Sequence, residues 1–312
     1  MSQLHQTIEE PGRKATWFEL FFDLVFVAAI ARLTEGLNTA ANALNLLNFG
    51  FLFLVIWWCW LGHTFFASRF DRDQPVQRVF GFVLMICVLV MALGAEYAET
   101  LHQKAFAMGV IGFKAGMAVA YWLATRRQRG AELGRSYGSL YALQAGLWLG
   151  SLFLHPGLAW AALGLDMLSP FRVARYTHQL PPHPDHLPER FGLFTIILLG
   201  ESVVSGIHGL DHGLSGLAIS FALIGSLASL LIWWVYFGWL QAFRPRRVDR
   251  PQAGKKLRLW AYGHLPLYFG IVGVAQIASH SKLLAMGHLL VPILTSCALL
   301  IGLLMIAASN KV

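Results

Sequence analysis

The chain has 312 residues, 56% of them hydrophobic and only 13% charged, with a mean hydropathy of +0.57. A water-soluble domain carries about 25% charged residues, so this composition excludes an ordinary soluble protein and indicates an all-α, polytopic membrane bundle. The net charge of +8 comes from 24 basic and 16 acidic residues. The basic residues gather in alternate connecting segments, which speaks for topology and contact with anionic lipids and against nucleic acid as a partner.

Taken in order, residues 1–16 are polar and hold no apolar core, so the first span is expected to act as an uncleaved insertion signal. Segmentation at about 20 residues per span predicts ten transmembrane helices. They fall near residues 15–34, 45–66, 77–98, 103–125, 136–154, 157–176, 190–209, 214–241, 259–280 and 284–308. Arg13 and Lys14 precede the first, Arg69 and Arg72 follow the second, and Arg126, Arg127, Arg129 and Arg135 follow the fourth. Arg175 and Arg190 flank the next such segment, and Arg244, Arg246, Arg247, Arg250, Lys255, Lys256 and Arg258 fill the last. The positive-inside rule then places both termini in the cytoplasm.

The first helix, "TWFELFFDLVFVAAIARL", carries Glu19 and Asp23 four residues apart, on one face of an otherwise apolar span. The second and eighth helices resemble each other. "IWWCWLGHTFFASRFDRDQP" from Ile56 and "IWWVYFGWLQAFRPRRVDRP" from Ile232 share Ile-Trp-Trp, a glycine (Gly62, Gly238), and a closing Asp and Pro. "HQKAFAMG" from His102 likewise matches "HSKLLAMG" from His280. A near-constant offset predicts a parallel internal repeat relating helices 1–4 to 7–10 and setting Glu201 opposite Asp23. One membrane domain over 1–312 follows, with a first repeat core at 13–125, intervening helices at 126–180 and a second core at 181–308.

Lys114, Asp166 and Glu201 fall near the expected midplane, with Asp23, Arg172 and His264 nearer the cytoplasmic side. A charge at the bilayer centre costs about 2.5–3.5 kcal/mol, so these groups must pair, neutralise or face water. Two readings stay open. One is a polar network that orients helices, with Lys114 neutralising Glu201 or Asp166; the other is a solute or proton path. Gly200, just before Glu201, is expected to allow close helix approach, with Ser202 bonding across the contact. Pro266 and Pro292 either kink the last two helices or break them. The segment "HQLPPHPDHLPER" gathers His178, His183, Asp185, His186 and Glu189, but its spacing fits no standard zinc pattern. Glu189 and Arg190 also read as an ordinary charged helix start.

Two of these stretches carry a family likeness. Trp17, Glu19, Leu20, Phe21, Phe22, Asp23 and Leu24, then His186, Leu187, Pro188, Glu189, Arg190, Leu199, Gly200, Glu201 and Ser202, resemble the two recurrent motifs of the bacterial low-temperature-requirement A (LtrA) family. The resemblance implies a multi-pass protein of the bacterial inner membrane and specifies little chemistry. The expected function is a transporter or channel for a small solute or ion, proton-linked through Asp23 and Glu201. Lys114 and Asp166 would form a midplane pair, with Arg172 and His264 as inner partners. The alternatives are an intramembrane enzyme acting on lipid, and a non-catalytic membrane sensor or assembly factor. No cofactor or metal is expected, and a homo-oligomer is compatible with this reading.

Overall fold

The computed structural model describes residues 13–35, 43–70, 74–95, 100–125, 131–172, 180–210, 215–240, 251–279 and 290–309. Among the described residues there are ten α-helices and no strand. They are α1 (Trp17–Glu35), α2 (Ala43–Phe70), α3 (Pro75–Ala95), α4 (Thr100–Thr125), α5 (Ala131–Phe153), α6 (Gly157–Arg172), α7 (His186–His208), α8 (Gly216–Gly238), α9 (Pro251–Ser279) and α10 (Leu290–Ala308).

The helices show why the sequence is so apolar. In α3, Gly81, Leu84, Met85, Val88, Met91, Ala92 and Ala95 are buried. The opposite face shows Val76, Val79, Phe82, Val83, Ile86, Leu89 and Leu93 exposed. Each set repeats every three to four residues, so one helix has an apolar inner face and an equally apolar outer face. A soluble helix would be polar on the second face, and a helix apolar all round needs protein or hydrocarbon on every side. Six helices are long and apolar enough to cross a membrane by length and composition: Asn45–Phe70, Pro75–Ala95, Gln103–Thr125, His186–His208, Gly216–Gly238 and Val291–Ala308. Of the other four, α1 carries Glu19, Asp23, Arg32 and Glu35, and α6 has only 16 residues.

The helices stand in the predicted order, with shifted ends. The start of α7 is His186 rather than residue 190, because the His183 Nδ1 accepts from the Asp185 and His186 amides (3.3 and 3.2 Å) and caps it. Pro188 fits in that first turn, where amides have no intrahelical partner. The start of α9 is Pro251 rather than residue 259, a proline at the first helical position. It continues unbroken through Pro266, and Pro292 sits in the first turn of α10. Glu96, Glu99, His178, Asp73, Asp249 and His280 lie outside the described residues.

The chain divides into two compact units. The first holds Met1–Gly36, Gly50–Arg190 and Arg247–Gly254; the second holds Leu37–Phe49, Phe191–Arg246 and Lys255–Val312. Within the first, α4 packs between α3 and α5, α5 packs on α6, and α1 packs on α3. The α3–α4 seam is tight at Gly109, where an added Cβ would lie 2.6 Å from the Cys87 carbonyl and 2.7 Å from the Met91 amide. Those are backbone atoms and cannot swing aside. Gly109→Val is therefore expected to cost about 1–3 kcal/mol by overpacking, read as a lower melting temperature in detergent. Gly146→Val, where a Cβ meets nothing within 4 Å, is the control that should leave the melt nearly unchanged.

Within the second unit, Gly225 packs on Ala278, Gly270 on Leu299 and Gly302 on Leu267. The motif shared by α2 and α8 occupies different surroundings in the two units. Trp57 and Trp58 are 0% and 5% exposed, whereas Trp233 and Trp234 are 47% and 65% exposed. Gly62 lies under the Tyr141 hydroxyl; Gly238 has only Trp234 nearby, at 4.0 Å.

Candidate functional site

The two acids of α1 sit where the first unit is most polar. Thr16 precedes the helix, and its Oγ1 accepts from the Glu19 amide (3.2 Å) while Glu19 Oε2 accepts from the Thr16 amide (2.9 Å). This reciprocal capping box explains why an acid stands three residues into an apolar span. The same Oε2 is 2.9 Å from His186 Nε2, and Oε1 is 3.2 Å from Arg190 Nη1. One turn further along, Asp23 receives Arg190 in a fork: Nε donates to Oδ2 at 2.9 Å and Nη2 to Oδ1 at 2.5 Å. Trp60 Nε1 from α2 donates to Oδ1 at 2.7 Å. Glu19, Asp23, His186 and Arg190 are all 0% exposed.

One guanidinium thus bridges two carboxylates stacked on one helix face, using the planar geometry that suits Arg and not Lys. With both carboxylates ionised and Arg190 charged, the cluster holds one surplus negative charge. Protonated His186 cancels it; neutral His186 leaves it. Because an ionised carboxylate only accepts, the Glu19 bond assigns the proton of neutral His186 to Nε2 and leaves the Nδ1 lone pair as the atom that can gain a proton. Glu189, half-buried, accepts from the Ala15 amide through Oε2 (2.9 Å), and Arg13 Nη2 donates to the Ala67 carbonyl (3.3 Å). These bonds fix the segment that enters α1 against α7 and α2.

A second buried charge pair lies among α4, α5 and α6. Lys114 Nζ donates to both Asp166 oxygens at 2.6 and 2.8 Å, with the Tyr141 ring 5.1 Å from the ammonium. Gln144 also bonds the Asp166 carboxylate. Trp58 Nε1 donates to the Asp166 carbonyl at 2.8 Å, tying α2 to α6.

Residues 14–311 match the family described as bacterial low temperature requirement A protein (LtrA). The chain belongs to the LtrA family. An uncharacterized protein of Rhizobium meliloti (strain 1021) is 30% identical over 285 residues, which cover 84% of this chain and 68% of that relative. No solved structure matches this chain significantly.

In this LtrA chain the two family motifs meet: the Glu19 and Asp23 of one hold the His186 and Arg190 of the other. Lys114 joins Asp166, the second of the two partners the sequence allowed. Arg172 is exposed at the end of α6, whereas these acids are buried. Trp17 is 87% exposed and Glu201 half-buried on α7. Among the described residues no close approach is seen at Gly200, which is exposed and where a Cβ would meet nothing within 4 Å. Ser202 does bond across to α8, its Oγ 2.6 Å from Ser229 Oγ. His264 lies within the second unit, its Nε2 2.8 Å from the Tyr236 hydroxyl and its Nδ1 2.8 Å from the Trp260 carbonyl. Among the described residues no group of three His, Cys, Asp or Glu side chains is placed to hold a metal ion.

Sequence reasoning named His186 and Arg190 as motif residues but did not pair them with Glu19 and Asp23. It missed Trp60 and His63 entirely. One usable signal existed: two acids one turn apart on an apolar helix require a cation, and the second motif supplied an Arg within a His-Leu-Pro-Glu-Arg start.

Proposed function

We propose that this LtrA protein moves a small solute or ion across the bacterial inner membrane, coupled to protons at the Glu19–His186 pair. The observation supporting it is the buried Glu19–His186 contact (2.9 Å) beside the Asp23–Arg190 pair, where one proton gained at His186 cancels the surplus negative charge of the cluster. Asp23 is forked to Arg190 and bonded to Trp60, and His186 is the further group beside it that we propose exchanges a proton. The basic residues that alternate between connecting segments support cytoplasmic termini in contact with anionic lipid headgroups.

The complete bonding of Asp23 also suits a helix-orienting strut, and one substitution separates the two readings. His186→Gln retains an N–H that can donate to Glu19 but cannot gain a charge. In liposomes holding a pH-sensitive dye, challenged with a panel of cations and anions, the variant is expected to lose proton-coupled flux by about 100-fold while folding and inserting normally. Flux equal to wild type in that variant would leave the strut as the role of the cluster.

A further inference from the structure

Beside the acid–His186–Arg190 cluster lies a residue with no part in the two family motifs. His63 on α2 is 6% exposed and stacks on Phe22 with ring centroids 3.8 Å apart and planes 15° from parallel. Its Nδ1 is buried without a hydrogen-bond partner in the protein among the described residues. Thr64 Oγ1 and His186 Nδ1 share that condition. Such atoms are rare, because each unmatched buried polar group costs roughly 1–3 kcal/mol.

The contacts place the three residues at about one level. Asp23 meets Trp60, Phe22 meets His63 and Arg13 meets Ala67, so α1 and α2 run antiparallel here. Thr64 follows Trp60 by one turn on the same face, in the direction in which Glu19 precedes Asp23. His63 is the adjoining residue and feels the charges of both Arg190 and Glu19. His186 joins the level through its bond to Glu19. A layer of His63, Thr64, Glu19 and His186 therefore lies one turn, about 6 Å, from the Asp23–Trp60–Arg190 layer. The charged and titratable groups facing it are Glu19 and Asp23 from α1 and His186 and Arg190 from α7. His183, from the segment before α7, has its Nδ1 committed to backbone amides.

We infer that His63 Nδ1, Thr64 Oγ1 and His186 Nδ1 enclose a built hydration site, and that His63 is the next proton stop after His186. A buried water needs two to four polar partners, and these three atoms supply them. The step balances: protonated His186 releases the proton from Nδ1 to the bridging water, which passes one of its own to His63 Nδ1. His186 becomes neutral, His63 becomes cationic and the water is unchanged. The relay rests on the proton-linked reading above; the hydration site does not.

The test uses the full chain, labelled with nitrogen-15 at histidine, in lipid nanodiscs. Magnetisation transfer from water to the rings is expected for His63 and His186. It is not expected for His264, whose two nitrogens both bond protein groups, making it an internal dry control. Thr64→Val should abolish the transfer to His63 and His186, and Thr64→Ser should restore it. Rings as dry as His264, or wet rings indifferent to Thr64→Val, overturn the site. In liposomes His63→Phe, which keeps the stack on Phe22, should reduce proton flux about 100-fold. Undiminished flux in that variant overturns the relay alone. Wet rings with no proton flux in the unaltered protein overturn the proton-linked function and the relay, and leave the hydration site standing.

Discussion

Replacing Arg190 by Met is expected to destabilise the protein by about 3–5 kcal/mol, the cost of stranding a buried charge. The effect should sit at the upper end, because the guanidinium serves two carboxylates, both 0% exposed. Without it, among the described residues, Asp23 retains the Trp60 N–H, and Glu19 retains His186 and its cap. Arg190→Lys should recover less than half of the loss, since a point ammonium cannot fork to Asp23 and also reach Glu19. Thermal melts in detergent, with near-ultraviolet circular dichroism to check tertiary packing, give the ranking. An Arg190→Met melt indistinguishable from wild type would mean the acids are not held as charges at all.

The Lys114–Asp166 pair gives the second large effect, with a different signature. Lys114→Met alone strands the Asp166 carboxylate between Gln144 and the Tyr141 ring and is expected to cost about 3–5 kcal/mol. The double change Lys114→Met with Asp166→Leu removes both charges from a site where each is nearly or wholly buried. It should regain most of that loss, because an apolar pair needs no desolvation of ions. The Asp166 backbone carbonyl still receives Trp58 and Ser169 in the double variant, so the α2–α6 tie survives. A double variant as unstable as the single one would show that the two side chains stabilise the bundle separately and not as a pair.

Much of the architecture was legible because hydrocarbon imposes a simple rule: a span needs about 20 apolar residues, and breaks between such runs are visible in the sequence. The ends were less legible because they depend on local bonds that hydropathy does not register, such as the His183 imidazole capping α7. The site was half legible. Burial of Glu19, Asp23, Lys114 and Asp166 follows from their place in apolar runs, since charges there must face inward. Their partners were harder, because Arg190 stands 167 residues from Asp23 and no periodicity links them. Arg190 also sits at a helix start, where an exposed charge is the ordinary expectation. His63 gave no signal at all: a lone histidine in an apolar stretch looks like any core histidine until its neighbours are known.

The separation of Asp23 from Arg190 also bears on how the chain is made. A ribosome adding 5–20 residues per second takes about 10–30 s to travel from one to the other. During that interval α1 has emerged with two acids and without the cation that they share. The polar contacts of α1 are thus completed late, when the start of α7 arrives. Truncated chains ending before His186 should accordingly leave α1 loosely held and open to proteases, and chains extended past Arg190 should lock it.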